Sequence, residues 1–200
     1  MKKRRAIIML CALCCVAGLA LSYPVAGAKV DSRLTINGTV YAIGRGRRAS
    51  NWSGPFRLIV NSYTTPGQVR ELNDALQQDG QDGLLKALSK MDAGRVQIGA
   101  DVGVTANAII ADQWGEGGTK LTVLYERNVR FSELRYGTRS SDYRVGYAEI
   151  LLDRNGKGEG TFIPAARVRL REGNTWEVED FGTFPARLMG LRASGRVTPG

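Results

Sequence analysis

Any chemistry performed by this chain must use carboxylates, tyrosine, lysine or arginine, because its 200 residues include no histidine. Ser-His-Asp and Cys-His centres are excluded, as are zinc and haem sites that rely on imidazole. The sequence has no Gly-x-Ser-x-Gly elbow and no Ser-x-x-Lys pair, and no phosphate loop or dinucleotide fingerprint lies between a strand and a helix. Four carboxylates, Glu126, Glu133, Glu149 and Asp180, fall in or near expected strands, and Glu149 shares an expected face with Tyr147 and Tyr143. Two carboxyls about 5–9 Å apart across a sheet can hydrolyse a glycosidic bond. A carboxylate hydrolase acting on envelope glycans, with Glu126 and Glu149 as its named residues, is therefore one expectation. Strand alternation places the same residues equally well on a solvated face where arginines pair with them, and no catalytic residue is assigned.

The candidate ligand-binding residues are Arg45, Arg47, Arg48 and Trp52, which put three cations and an aromatic on one glycine-containing loop. Such a loop can meet phosphates or sugar rings. The competing reading is a solvated loop with its tryptophan tucked against the sheet. Asp153-Arg154-Asn155-Gly156-Lys157-Gly158-Glu159 superficially matches a calcium loop, with oxygens at alternate positions. Lys157 stands where an oxygen ligand is needed, and no bidentate glutamate closes the loop. The expectation is a hairpin turn, with no metal and no cofactor. Asn37-Gly38-Thr39 and Asn51-Trp52-Ser53 match the glycosylation acceptor pattern, which matters only where the host glycosylates exported chains.

The compartment follows from residues 1–28. Lys2, Lys3, Arg4 and Arg5 precede an apolar run from Ala6 to about Leu21, and Ala26-Gly27-Ala28 supplies a small-x-small cleavage site. This predicts a secretory signal, export to the periplasm or beyond, and no transmembrane helix in the mature chain. All three cysteines, Cys11, Cys14 and Cys15, lie in the apolar run, so cleavage leaves no disulfide framework and stability must come from a packed core. The formal net charge is +9, but removing the signal leaves 24 basic against 19 acidic residues, and 19 of the 24 are arginine. A mild basic excess of this kind suits anionic partners such as acidic glycans or lipid headgroups. The charges are scattered along the chain, as in an ordinary soluble protein, and a nucleic-acid partner is not expected.

The elements that must position these groups are mainly strands. Leu34–Val40 and Phe56–Tyr63 alternate with period two. Thr65, Pro66 and Gln68 form a capping box for a helix bearing Val69, Leu72 and Leu76. Gly80 ends that helix, and Asp82 caps a second one carrying Leu84, Leu85, Leu88 and Met91 before Gly94. The pair predicts a helical hairpin near 66–92, covering a sheet edge or barrel mouth. Beyond Arg95 the period returns to two. Val102, Val104, Ala106, Ala108 and Ile110 share one face, and strands follow around Leu121–Tyr125, Tyr143–Ile150, Thr161–Leu170, Trp176–Val178 and Arg187–Leu191. Asn155-Gly156 marks a hairpin and Pro164 a bulge or edge. The sum is a mainly β domain over 29–193, an antiparallel barrel or sandwich of about eight to ten strands with a helical insertion, followed by a tail over 194–200.

Three phrases, Leu121-Thr122-Val123-Leu124-Tyr125-Glu126-Arg127-Asn128, Leu152 through Phe162, and Phe184-Pro185-Ala186-Arg187-Leu188, carry a resemblance. Over about half its length the chain resembles uncharacterised secreted bacterial proteins with a similar C-terminal half. The resemblance implies a bacterial exported protein and transfers no activity. The leading expectation is a non-catalytic protein binding a small apolar or amphiphilic ligand, or an envelope partner, in a barrel or sandwich groove. A small outer-membrane barrel is the third alternative.

Overall fold

The computed structural model describes residues 29–42, 52–127, 143–171, 175–180 and 185–195. The expected signal segment and the loop bearing Arg45, Arg47 and Arg48 lie outside them, as do Glu133 and most of the expected tail. Ten strands and one helix follow in the order β1 (Lys29–Ala42), β2 (Trp52–Ser62), α1 (Pro66–Leu88), β3 (Gly94–Ile98), β4 (Val104–Ala106), β5 (Ala108–Trp114), β6 (Gly118–Glu126), β7 (Val145–Leu152), β8 (Lys157–Arg171), β9 (Thr175–Asp180) and β10 (Ala186–Ser194). They form one antiparallel sheet in the order β4-β3-β2-β1-β10-β8-β7-β6-β5, with β9 pairing to β8 beyond the end of β10. The sheet does not close, because β4 and β5 stand at its two ends.

The inner face of the sheet curls around the larger of two cores. Leu34, Ile36, Phe56, Leu58, Val96, Ile109, Leu121, Val123, Ile150, Phe162, Leu188 and Leu191 come from eight strands and pack into one buried cluster. In β1, β2 and β6 these are alternate positions, as a sheet with one buried face requires, whereas in β10 the register shift between Leu188 and Leu191 lets residues three apart share that face. The opposite face carries Arg57, Arg95, Lys157, Arg187 and Arg192, all exposed. An apolar interior behind a charged exterior is the reverse of the pattern that a lipid-embedded barrel needs. Among the described residues, no helix is long and apolar enough to cross a membrane.

The capping box at Thr65 forms as the sequence indicates. Thr65 Oγ1 accepts from the Gln68 amide at 3.2 Å, and the Gln68 side chain accepts from the Thr65 amide at 2.9 Å. Gly80 breaks the helix with φ 61° and ψ −139°, yet helical geometry resumes at once and ends at Leu88. The second stretch is therefore shorter than expected and does not run to Gly94. Gly94 opens β3 instead. A Cβ there would sit 2.0 Å from the Ile59 carbonyl oxygen, so the glycine answers to the close approach of β2 rather than to a helix end.

The helix lies against the outer face of the sheet and reaches its end strand β5. Leu72, Leu76, Leu84, Leu85 and Leu88 pack with Ala108, Leu124, Val145 and Val168 on the outer face of β5–β8, making a second core. Gln81 clamps this layer by donating to the Val168 carbonyl and accepting from the Val168 amide. Trp176 Nε1 on β9 donates to Asn73 Oδ1 at 2.6 Å.

The strand expected through 102–110 is broken in two. Val102 and Val104 are exposed, and the chain turns a corner at buried Asn107. Its Nδ2 donates to the carbonyls of Leu88 (3.0 Å) and Met91 (3.2 Å), and its Oδ1 accepts from the Glu126 amide at 2.8 Å. Ala106, Asn107, Ala108 and Ile109 are consequently all buried, which strict alternation forbids. Pro164 marks a bulge, as expected. Ile163 pairs with Tyr147 and Ala166 with Val145, leaving Pro164 and Ala165 opposite Gly146. β10 extends through Ser194, whose Oγ donates to the Thr35 carbonyl at 3.1 Å.

Candidate functional site

A groove of about 260 Å³ lies on the outer face where β7, β8 and β10 run side by side. Direct cross-strand pairing sets its geometry: Tyr41 faces Arg187, Arg187 faces Thr161, Thr161 faces Glu149, and Glu149 faces Thr122. Glu159 enters from β8, two residues from Thr161, and Leu151 and Met189 supply apolar walls. Residues two apart in one strand share a face, so β8 delivers Lys157, Glu159 and Thr161 together.

Two kinds of charge line the groove. Glu149 is held by Lys120 Nζ at 3.3 Å and accepts from the Tyr147 hydroxyl at 3.3 Å. Burial, then the charge of Glu149, then this hydrogen bond push the Tyr147 phenol well above its ordinary range, so it remains a donor at neutral pH. Among the described residues, Glu159 and Arg187 make no ion pair. The groove thus presents one unpaired anion and one unpaired cation beside apolar Leu151 and Met189.

The sequence-derived candidates scatter. Glu126 pairs with Val145, while Glu149 lies four residues further along β7. This offset is roughly 13 Å at strand rise, too far for one two-carboxylate site. Glu126 is engaged instead by Arg144 at 3.9 Å. Asp180 ends β9, opposite Ala166. Tyr143 donates to Glu179 at 2.7 Å, away from the groove. Trp52 is 45% exposed at the start of β2, and it is not among the groove's lining residues. Its ring lies beside Gly54, where a Cβ would be 2.6 Å from it, and close to half of the residue stays open to solvent.

Asp153 uses its carboxylate to hold the expected hairpin. Oδ1 accepts from the amides of Asn155 (2.8 Å) and Lys157 (2.9 Å), and Gly156 takes φ 71°. Those amides, the Lys157 one foremost, hold the exposed carboxyl below its ordinary range. Asn37 of the first acceptor motif sits within β1, paired on both sides; Asn51 of the second lies outside the described residues.

Sequence reasoning missed Glu159, Thr161 and Arg187 as a group. Their alternation along β8 and β10 was a usable signal, but the adjacency of those strands was not in it. Comparisons of the chain with family models, curated proteins and solved structures give no match.

Proposed function

We propose that this is an exported, non-catalytic binding protein that holds a small amphiphilic ligand in the β7–β8–β10 groove. The carrying observation is the juxtaposition of unpaired Arg187 and Glu159 with Leu151 and Met189 in one concavity. An ionic head finds a partner in Arg187 or Glu159, and an apolar body finds Leu151 and Met189. The groove is smaller than most enclosed drug-sized sites, which favours a small ligand or the projecting end of a larger one. An apolar ligand inside the sheet is disfavoured, because large side chains such as Phe56, Leu58, Leu121 and Ile150 occupy that space. Export rests on the basic residues 2–5, the apolar run and Ala26-Gly27-Ala28.

Native mass spectrometry of the mature protein, purified from an exporting host without detergent, tests this reading. A discrete added mass is expected that disappears on denaturation and is absent from Arg187→Ala and Glu159→Gln proteins that melt normally. Retention of that mass by both variants would place the ligand elsewhere, and a bare wild-type mass would remove the support for a bound ligand. A carboxylate hydrolase is the second reading, now centred on Glu149 and Glu159. They are diagonal neighbours on paired strands, a relationship that sets Cα atoms roughly 7–8 Å apart. Hydrolysis of envelope glycans that is lost in both Glu149→Gln and Glu159→Gln would establish it.

A further inference from the structure

A row of unpaired positive charge lies beside the groove, on the outer face of β3, β2, β1, β10 and β8. Direct pairing aligns five residues in one row across these strands: Gln97 with Arg57, Arg57 with Asn37, Asn37 with Arg192, and Arg192 with Lys157. Four inter-strand steps make the row roughly 19 Å long. Arg57, Arg192 and Lys157 are exposed, and none makes an ion pair among the described residues. Arg57 is oriented within the row by donating its Nε to Asn37 Oδ1 at 3.0 Å. From Thr35 to Tyr41 of β1, and along β2, β3 and β10, no acidic residue occurs. Asp153 and Glu159 lie at the Lys157 end, where the Asp153 carboxylate is engaged by turn amides, and at the other end the Gln97 side chain donates to the carbonyl of Val102, which follows Asp101.

From this geometry we infer that the row is a docking surface for a linear acidic polysaccharide. Arg192 and Lys157 are directly opposed like charges, an arrangement that destabilises a sheet unless an anion lies between them. The row interleaves cations with amides, so carboxylates and hydroxyls along one chain find partners in succession. Tyr41, half-exposed opposite Arg187 and two rows beyond Asn37 on β1, roughly 13 Å along the strand, offers a ring face to a sugar at the border of the surface. A bilayer is the poorer occupant. Of the outward residues flanking the row on β1 and β10, Thr35, Thr39 and Ser194 are polar, and the exposed Met189 and Tyr41 each face a polar partner, Thr39 and Arg187, rather than joining in an apolar wedge to bury among lipids. None of Arg57, Asn37, Arg192, Lys157 and Gln97 lines the groove, so this inference stands apart from the ligand reading above.

The test uses the full mature protein and alginate, a polyuronate, with neutral dextran and phosphatidylglycerol vesicles as comparison probes. Alginate is expected to bind and to weaken with added salt, while dextran does not bind. A protein carrying Arg57→Gln, Arg192→Gln and Lys157→Gln should bind alginate roughly tenfold or more weakly. Its melting temperature should be unchanged or higher, because the like-charge contact is gone. Arg169→Gln, which removes a cation paired with Glu179 at 2.9 Å on the far part of β8, should leave binding unchanged. If the triple substitution unfolds the protein, Arg192→Gln alone supplies the comparison. Alginate binding that is absent, or equal in wild type and variants, overturns the inference. Vesicle binding stronger than alginate binding and lost in the triple variant also overturns it, in favour of a membrane surface.

Discussion

Replacing Asn107 by leucine keeps a γ-branched side chain but removes three hydrogen bonds at the corner between β4 and β5. The consequences differ among the three partners. The Leu88 carbonyl keeps the Met91 amide as a donor at 2.9 Å. The Met91 carbonyl and the Glu126 amide lose the side-chain partners described above, at a residue only 7% exposed. Each buried group left unsatisfied costs roughly 1–3 kcal/mol, so the expected loss is about 3–4 kcal/mol. For a domain of this size that corresponds to a fall in Tm of roughly 10 °C. Asn107→Asp sharpens the test. One carboxylate oxygen still accepts from the Glu126 amide, while the other faces two carbonyls that it can satisfy only when protonated. The folded state therefore favours the protonated aspartic acid and raises its pKa above the unfolded value. The penalty is small below the ordinary aspartate range of about 4 and grows as pH rises through the folded value. Urea unfolding followed by tryptophan fluorescence at neutral and acid pH measures both effects against wild type. A leucine variant losing less than about 1 kcal/mol, or an aspartate variant tracking wild type at every pH, would refute this account of the corner.

Two further outcomes test other parts of the same framework. Gly80→Ala adds a Cβ that meets nothing within 4 Å, so its cost is backbone strain at φ 61° alone; about 1–2 kcal/mol in urea unfolding is expected, and a neutral result would mean that the helix break does not depend on glycine. In an alkaline absorbance titration, the transition absent from Tyr147→Phe should lie above that of an ordinary tyrosine and should move down, though not fully back, in Glu149→Gln, because burial is the larger cause. The folded state holds that proton more tightly, so its contribution to stability is present below about pH 10 and is lost as pH rises further. A Tyr147 transition at the ordinary value would separate Glu149 from the phenol.

Much of the fold was legible because local rules and tertiary demands agree. Thr65 and Gln68 are three residues apart, so their reciprocal cap needs no distant partner. Asn155-Gly156 and Pro164 specified a turn and a bulge through their own backbone preferences. Reading failed where a distant segment overrode the local pattern. Asn107 looked like the polar side of a continuous strand, but the carbonyls of Leu88 and Met91 hold it at a buried corner. Gly94 looked like a helix stop, but the approach of the Ile59 carbonyl demands it. Glu126 and Glu149 were both candidates for a carboxylate site because each falls in or near a strand, but only the register of β6 on β7 shows that they lie four residues apart.

The sequence by itself determined the chemical repertoire, by omitting histidine, and the mainly antiparallel β-architecture with its capped helix, because residue type and period are local quantities. Only the tertiary structure decided which strands are neighbours. Sheet order places β10 between β1 and β8, although 155 positions of sequence separate Asn37 from its partner Arg192. That order brings Arg187 and Glu159 into one groove and sets Asn37 between Arg57 and Arg192. Alternation assigns each side chain to a face, but lateral adjacency depends on how the whole sheet curls to bury its apolar side, and no short window of sequence contains that information.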